Sequence, residues 1–297
     1  MRWRRWRPRG TTQAVAVQHE DILEKDPFVA THQRLRKLSL RGHFWKRDHD
    51  FRLLNQLIDE AKQVAGKAPV SDRAEAWLYA LALQAPRAAV AQESMDEHPH
   101  GYHNKEARLF ELIDFNDAFV ASILSLPNPM LTRATLEVKR LCEAACKKAG
   151  TRCFSDEQFE AITHGLSREI AVFHGLSSEG YEVEMTNRAS DALGIDMRIV
   201  DPRELRAVNI DIKTRSAYRY RIEQLQREGR LSEETFLMAD RNGFAIVYNG
   251  HHEQRTKVVI WRIDHERLGD VVNFTFTDTT ILGVAMHTIM LAAGEKL

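Results

Sequence analysis

The hydrophobic period of the chain changes once, near Gly150, and that change limits the available folds more than any other feature. From residue 21 to about 150, apolar residues recur at three- and four-residue spacing, as in Leu53, Leu54, Leu57, Ile58 and Ala61. Such a stripe belongs to amphipathic helices. Ser71 offers an N-cap for a helix through Trp77 and Leu81. The pattern continues over 106–126 and 131–149, with Pro127-Asn128-Pro129 between the two segments. A polar, turn-rich break over 96–103 carries His98, His100 and His103, which reads as a solvated loop.

After Gly150 one more helix opens at Ser155-Asp156-Glu157 and runs to about 177. Short strand candidates then follow at 181–186, 194–200, 208–214, 244–248 and 258–263, with a helix over 216–227 among them. Strands interleaved with helices imply an α/β fold. The expected organisation is a basic arm over 1–20, a helical region over 21–150 and an α/β domain over 151–297.

Charge narrows the partners. Lysine plus arginine number 42, and so do aspartate plus glutamate, so no global positive field attracts nucleic acid. Any such attraction must be local, and the start, MRWRRWRPRG, holds five arginines and no acid. Arg4 and Arg5 in that arm suit phosphate or minor-groove contacts. The most apolar run, 281–293, is interrupted by His287 and falls short of the ~18 residues a span needs. No membrane partner is therefore expected. The basic start is not followed by an apolar signal core, and the cysteines number three, which together point to the cytoplasm. Cys142, Cys146 and Cys153 lack a fourth partner and a standard ligand spacing, so they read as packing residues. No phosphate-cradling G-x-x-x-x-G-K segment occurs.

The chemistry concentrates in NIDIKT, residues 209–214. Strand parity groups Val208, Ile210 and Ile212 on one face and Asn209, Asp211 and Lys213 on the other. In the preceding segment Ile195, Met197 and Ile199 fall together, opposite Asp196 and Arg198. Turn chemistry over 201–206 joins the two segments into a hairpin. A register with odd sums of paired residue numbers then puts Asp196, Asp211 and Lys213 on one face. Two carboxylates so close repel each other unless a cation lies between them. Oxygen-only ligation suits Mg²⁺ or Mn²⁺, which can activate water and neutralise a phosphodiester. Glu60-x-Lys62 and Glu137-x-Lys139 repeat the triplet, but on helical pattern. The bland alternative is a strand with a wet, charged face.

A glutamate-bearing helix, a strand, a Gly-Ile-Asp strand, and an acid-x-Lys strand followed by a helix resemble the PD-(D/E)XK nuclease superfamily. The resemblance runs from about 156 to 263; Asp211 stands where glutamate is commoner, and no proline precedes Asp196. It implies a restriction-endonuclease-like α/β domain with a mixed central sheet and a Mg²⁺-dependent endonuclease activity on DNA. Asp196, Asp211 and Glu169 would hold Mg²⁺ (or Mn²⁺), and Lys213 would act on the attacking water or the transition state. Glu160 is a weaker candidate than Glu169 for the helix position. Arg215, Tyr218 and Arg219, in the arginine–aromatic stretch after Lys213, are expected to face nucleic acid. RNA stays open as the polymer, and a homodimer is compatible with this reading. The alternative is a nuclease-like fold that binds nucleic acid or assembles without cutting it.

Overall fold

A computed structural model of the protein describes residues 26–38, 52–97, 105–186, 190, 194–250 and 255–297. The first half is a helical bundle: α1 (Pro27–Lys37), α2 (Arg52–Lys67), α3 (Val70–Glu97), α4 (Lys105–Leu124) and α5 (Asn128–Ala149). Asp26 starts α1, its carboxylate accepting the Phe28 and Val29 amides. Along α3, Leu78, Ala80, Leu81, Ala82, Leu83, Ala85 and Ala88 are all buried. A helix apolar around its whole girth belongs at a centre, and α3 packs against α1, α2, α4 and α5. This helix begins at Val70, directly after Pro69, so Ser71 lies in its first turn instead of capping it.

Gly150 closes α5 in the left-handed region at φ 73°, its amide reaching the Cys146 and Lys147 carbonyls. Helix α6 (Asp156–Ser178) opens with a reciprocal Ser155–Gln158 capping box. Its first half, with Phe159, Leu166 and Ile170, belongs to the bundle core. Its second half, with Ala171, Val172 and Leu176, packs against the sheet. The change of period at Gly150 thus marks the chain's change of style, while the core continues along α6 into the second half.

Strands β1 (Glu182–Met185), β2 (Met197–Asp201), β3 (Arg206–Lys213), β4 (Phe244–Asn249) and β5 (Thr256–Arg262) form one sheet in the order β1-β2-β3-β5-β4. β1, β2 and β3 run antiparallel in succession, β3 and β5 are parallel, and β4 returns antiparallel to β5. The fold is therefore mixed α/β. The parallel step needs a crossover, supplied by α7 (Arg215–Arg227), α8 (Glu233–Asn242) and β4. α8, capped by Ser232, has no counterpart in the sequence reading.

Short α9 (His265–Leu268) and the hairpin β6 (Val271–Val272) with β7 (Thr275–Phe276) lead to α10 (Thr280–Ala293) and to β8 (Glu295–Lys296), which pairs with β3. The apolar run at 281–293 is thus helical, burying Leu282, Met286, Ile289 and Met290. Helices α6 and α10 cover one sheet face, and α7 and α8 cover the other. No described helix is long and apolar enough to cross a membrane.

Candidate carboxylate and lysine site

The β2–β3 register decides whether the acids can meet. Met197 faces Ile210 and Arg198 faces Asn209, both odd sums, as the metal reading required. The pairing departs from simple alternation at its open end. Ile210, already opposite Met197, also accepts the Asp196 amide at 2.8 Å. Such a local extra residue turns the preceding side chain over. Ile195 accordingly joins Tyr218, Ile222 and Val258 on the α7 side, not Met197 and Ile199 as parity predicted. Gly194 makes the approach at φ 73°, and a Cβ there would lie 3.8 Å from Asp211 Oδ2.

Asp196 then occupies the end of the ladder. Its Oδ2 accepts the Ile212 amide at 2.5 Å, where a continuing β2 would offer a backbone carbonyl. The Lys213 ammonium donates to Asp211 Oδ1 and lies 4.0 Å from Asp196 Oδ2. Asp196, Asp211 and Lys213 therefore converge. Asp211 is only 4% exposed, because α7 covers the face that alternation alone would leave wet. That burial excludes the reading of Asp211 as a solvated surface charge.

Charge balance explains what this burial does. One ammonium faces two carboxylates, with the Arg221 charge acting on Asp211 from farther off, so acids outnumber bases at the point of contact. Burial pushes Asp211 up to about 7, against the pull of Lys213, and the Asp196 charge adds to the rise. Burial disfavours the Lys213 charge too, yet Asp196, Asp211 and Glu169 together hold its pKa well above the ordinary value. A proton or a cation must offset the remaining charge, and the donors offered are all oxygens. This fits a hard divalent ion.

A proton and a divalent ion would compete for the Asp211 carboxylate. Any divalent ion that Asp211 held would have to displace its proton below about pH 7, so apparent Mg²⁺ affinity there should rise up to about tenfold per pH unit and level off above 7. Calorimetric titration of Mg²⁺ or Mn²⁺ from pH 5.5 to 8.5 checks this, and a flat profile would contradict it. In the metal-free protein the folded carboxyl holds its proton to about 7, whereas the unfolded one releases it near the usual aspartate value of 3.8. Asp211 should therefore make stability fall as pH rises through that window.

Glu169 arrives from α6, half-buried, and lines a cavity of about 290 Å³ together with Asp196. It does not close tightly on the pair. Among the described residues, the group of three whose ligand atoms all lie within 4.8 Å of one another is Asp201, Glu204 and His287. Glu169, Asp196 and Asp211 do not form such a group. Glu160 is exposed to solvent. The Asp201 group already has its cations: Arg203 binds both Asp201 oxygens, and Arg206 lies 3.8 Å from Glu204.

The expected nucleic-acid contacts divide. Arg215 and Arg219 are exposed on α7, paired with Glu266 at 2.7 Å and Glu223 at 3.0 Å. Tyr218 is fully buried, its hydroxyl donating to the Ala239 carbonyl at 2.8 Å, so it cannot stack on a base. Tyr220, 66% exposed, is the ring that this helix presents. Arg4, Arg5, His98, His100 and His103 lie outside the described residues. Cys142 and Cys146 are buried in the bundle, and all three thiols are free. Asn116 and Asp117 of α4, in the helical region that the resemblance does not cover, line the Asp196 cavity. Nothing in a helical repeat distinguishes those positions. Compared with family models, with curated proteins and with solved structures, the chain matches none.

Proposed function

We propose that this protein is a metal-dependent nuclease that hydrolyses DNA phosphodiester bonds, on a restriction-endonuclease-like domain. The observation that carries the reading is the convergence of Asp196 and Lys213 on the buried Asp211 at the ends of β2 and β3. Asp196 and Asp211, with Glu169 through water, would hold Mg²⁺ or Mn²⁺. Bound there, the ion would supply Lewis acidity and charge neutralisation at the phosphate. Lys213 is fixed by its contacts to Asp211 and to the Ile212 carbonyl, 3.1 Å away. From there its ammonium orients an attacking water or offsets charge developing on the phosphoryl oxygens. Burial raises the worth of that contact, since fewer waters screen it. The exposed arginines of α7 and the basic arm would hold the polymer by its phosphates.

The test is a cleavage panel of plasmid, linear duplex, single-stranded, branched and RNA substrates with Mg²⁺, Mn²⁺ or chelator. Cleavage that requires the divalent ion supports the reading. A mobility shift without cutting on every substrate would make the protein a binding module instead. Deleting residues 1–9, which hold the five arginines, should weaken binding and flatten its salt dependence, because fewer counterions are released. An unchanged salt slope would remove the arm from the interface.

A further inference from the structure

We propose that the cavity beside Asp196 is a pocket for an unpaired nucleobase, the one flanking the phosphate presented to the carboxylates. The inference rests on the nuclease reading and deepens it by naming the substrate class as single-stranded or base-extruded nucleic acid. The cavity measures about 290 Å³, near the lower end of small-ligand sites. Its walls are apolar on several sides, with Val120 and Leu124 from α4, Leu166 from α6 and Met185 from β1. Such surfaces suit the faces of a planar heterocycle.

Two polar features select what enters. Asn116 lines this cavity, and its Oδ1 is buried without a hydrogen-bond partner. A buried acceptor without a donor destabilises the empty protein and favours a ligand that brings an N–H. Exocyclic amines and ring N–H groups of bases are such donors. Asp117, Glu169 and Asp196 line the same cavity, so an anionic phosphate is repelled from its interior while a neutral ring is not. Charge thus sorts the nucleotide: phosphate toward Lys213, base toward Asn116. A base stacked inside a duplex cannot enter a concave pocket; it must be extruded or already single-stranded.

The test reads binding without divalent ion, so that it does not depend on cutting. The probe is a single-stranded DNA oligonucleotide carrying 2-aminopurine, compared with its blunt duplex and with an abasic version. Insertion should change 2-aminopurine fluorescence in the single strand and not in the duplex. Loss of the base should weaken binding by about tenfold, the usual worth of one captured base. Ala121→Trp, which fills the cavity from α4, should abolish the fluorescence change and bind base-bearing and abasic strands alike. Asn116→Leu, which keeps the volume but removes the acceptor, should reduce the preference of the same probe over the abasic strand. The second variant keeps the test decisive if the first does not fold, as judged by circular dichroism. Equal affinity of the parent protein for base-bearing and abasic strands would overturn the pocket, as would an unchanged signal in a folded variant. If the pocket signals hold but no substrate is cut with Mg²⁺, the nuclease reading fails and the pocket stands. If duplex and abasic strands are cut as readily as single strands, the nuclease reading stands and the pocket fails.

Discussion

Replacing Lys213 by alanine should lower cleavage about 10²–10³-fold while leaving substrate affinity nearly unchanged. The ammonium touches Asp211 and lies 4.0 Å from Asp196, beside the carboxylates that would hold the ion. Charge developing on the phosphoryl group is greatest in the transition state, so the loss falls on kcat more than on KM. Asp211→Asn should also stop cleavage, but through weaker ion binding, and excess Mn²⁺ should partly restore it. Lys213→Ala should show no such restoration, because the carboxylates remain. Single-turnover rates across a metal titration separate the two variants. If both cut at the parent rate, the buried cluster is only structural and the nuclease reading is wrong.

The largest effect on stability should come from Asp114→Ala, far along the chain from the cluster. Arg87 is 8% exposed and donates to Asp114 Oδ2 at 2.5 Å and to Asn55 Oδ1 at 3.0 Å, joining α2, α3 and α4. Lys62 adds a second cation 3.4 Å from Asp114. Removing the acid strands a buried guanidinium, a change that typically costs about 3–5 kcal/mol. That is a large part of the roughly 5–15 kcal/mol that holds a typical domain folded. Denaturant midpoints at constant slope measure it. Replacing the pair together, by Arg87→Met with Asp114→Leu, should cost far less, because no charge is left unpaired. A single variant within about 1 kcal/mol of the parent would show that water reaches the guanidinium. Asp114 stands on α4 just before Asn116 and Asp117, so this ion pair also fixes the wall of the Asp196 cavity.

The parts legible in the sequence are those written in local pattern. The three- and four-residue stripe before Gly150 announces helices, because one face of each must be apolar to pack. The Ser155–Gln158 box and the glycine after α5 mark ends where backbone groups need partners within a few residues. Alternation in β3 and the turn before it fix the odd register with β2, and Asp196 reaches Asp211 and Lys213 from the irregular end of that ladder. Period two leaves no other way to keep Ile210, Ile212, Met197 and Ile199 on one core.

What covers each element is a different matter, since that depends on segments far away in sequence. Alternation marked the Asp211 face as polar and could not say that α7 would fold over it, burying the acid and lifting its pKa to about 7. The same coverage put Tyr218 in the core, although its neighbours Arg219 and Tyr220 are exposed. Ile195 changed face because one extra residue at the Asp196 end disturbs the ladder, and a residue count along a strand assumes no such break. Asn116 and Asp117 reached the cavity only through the packing of α4 against α6, contacts between residues about fifty apart in sequence, on the order of several domain-loop lengths. Local sequence determines which residues repeat and where an element ends, because those forces act within a turn or a strand pair. Only the tertiary structure decides which faces meet, because burial is set by whichever distant surface displaces the water.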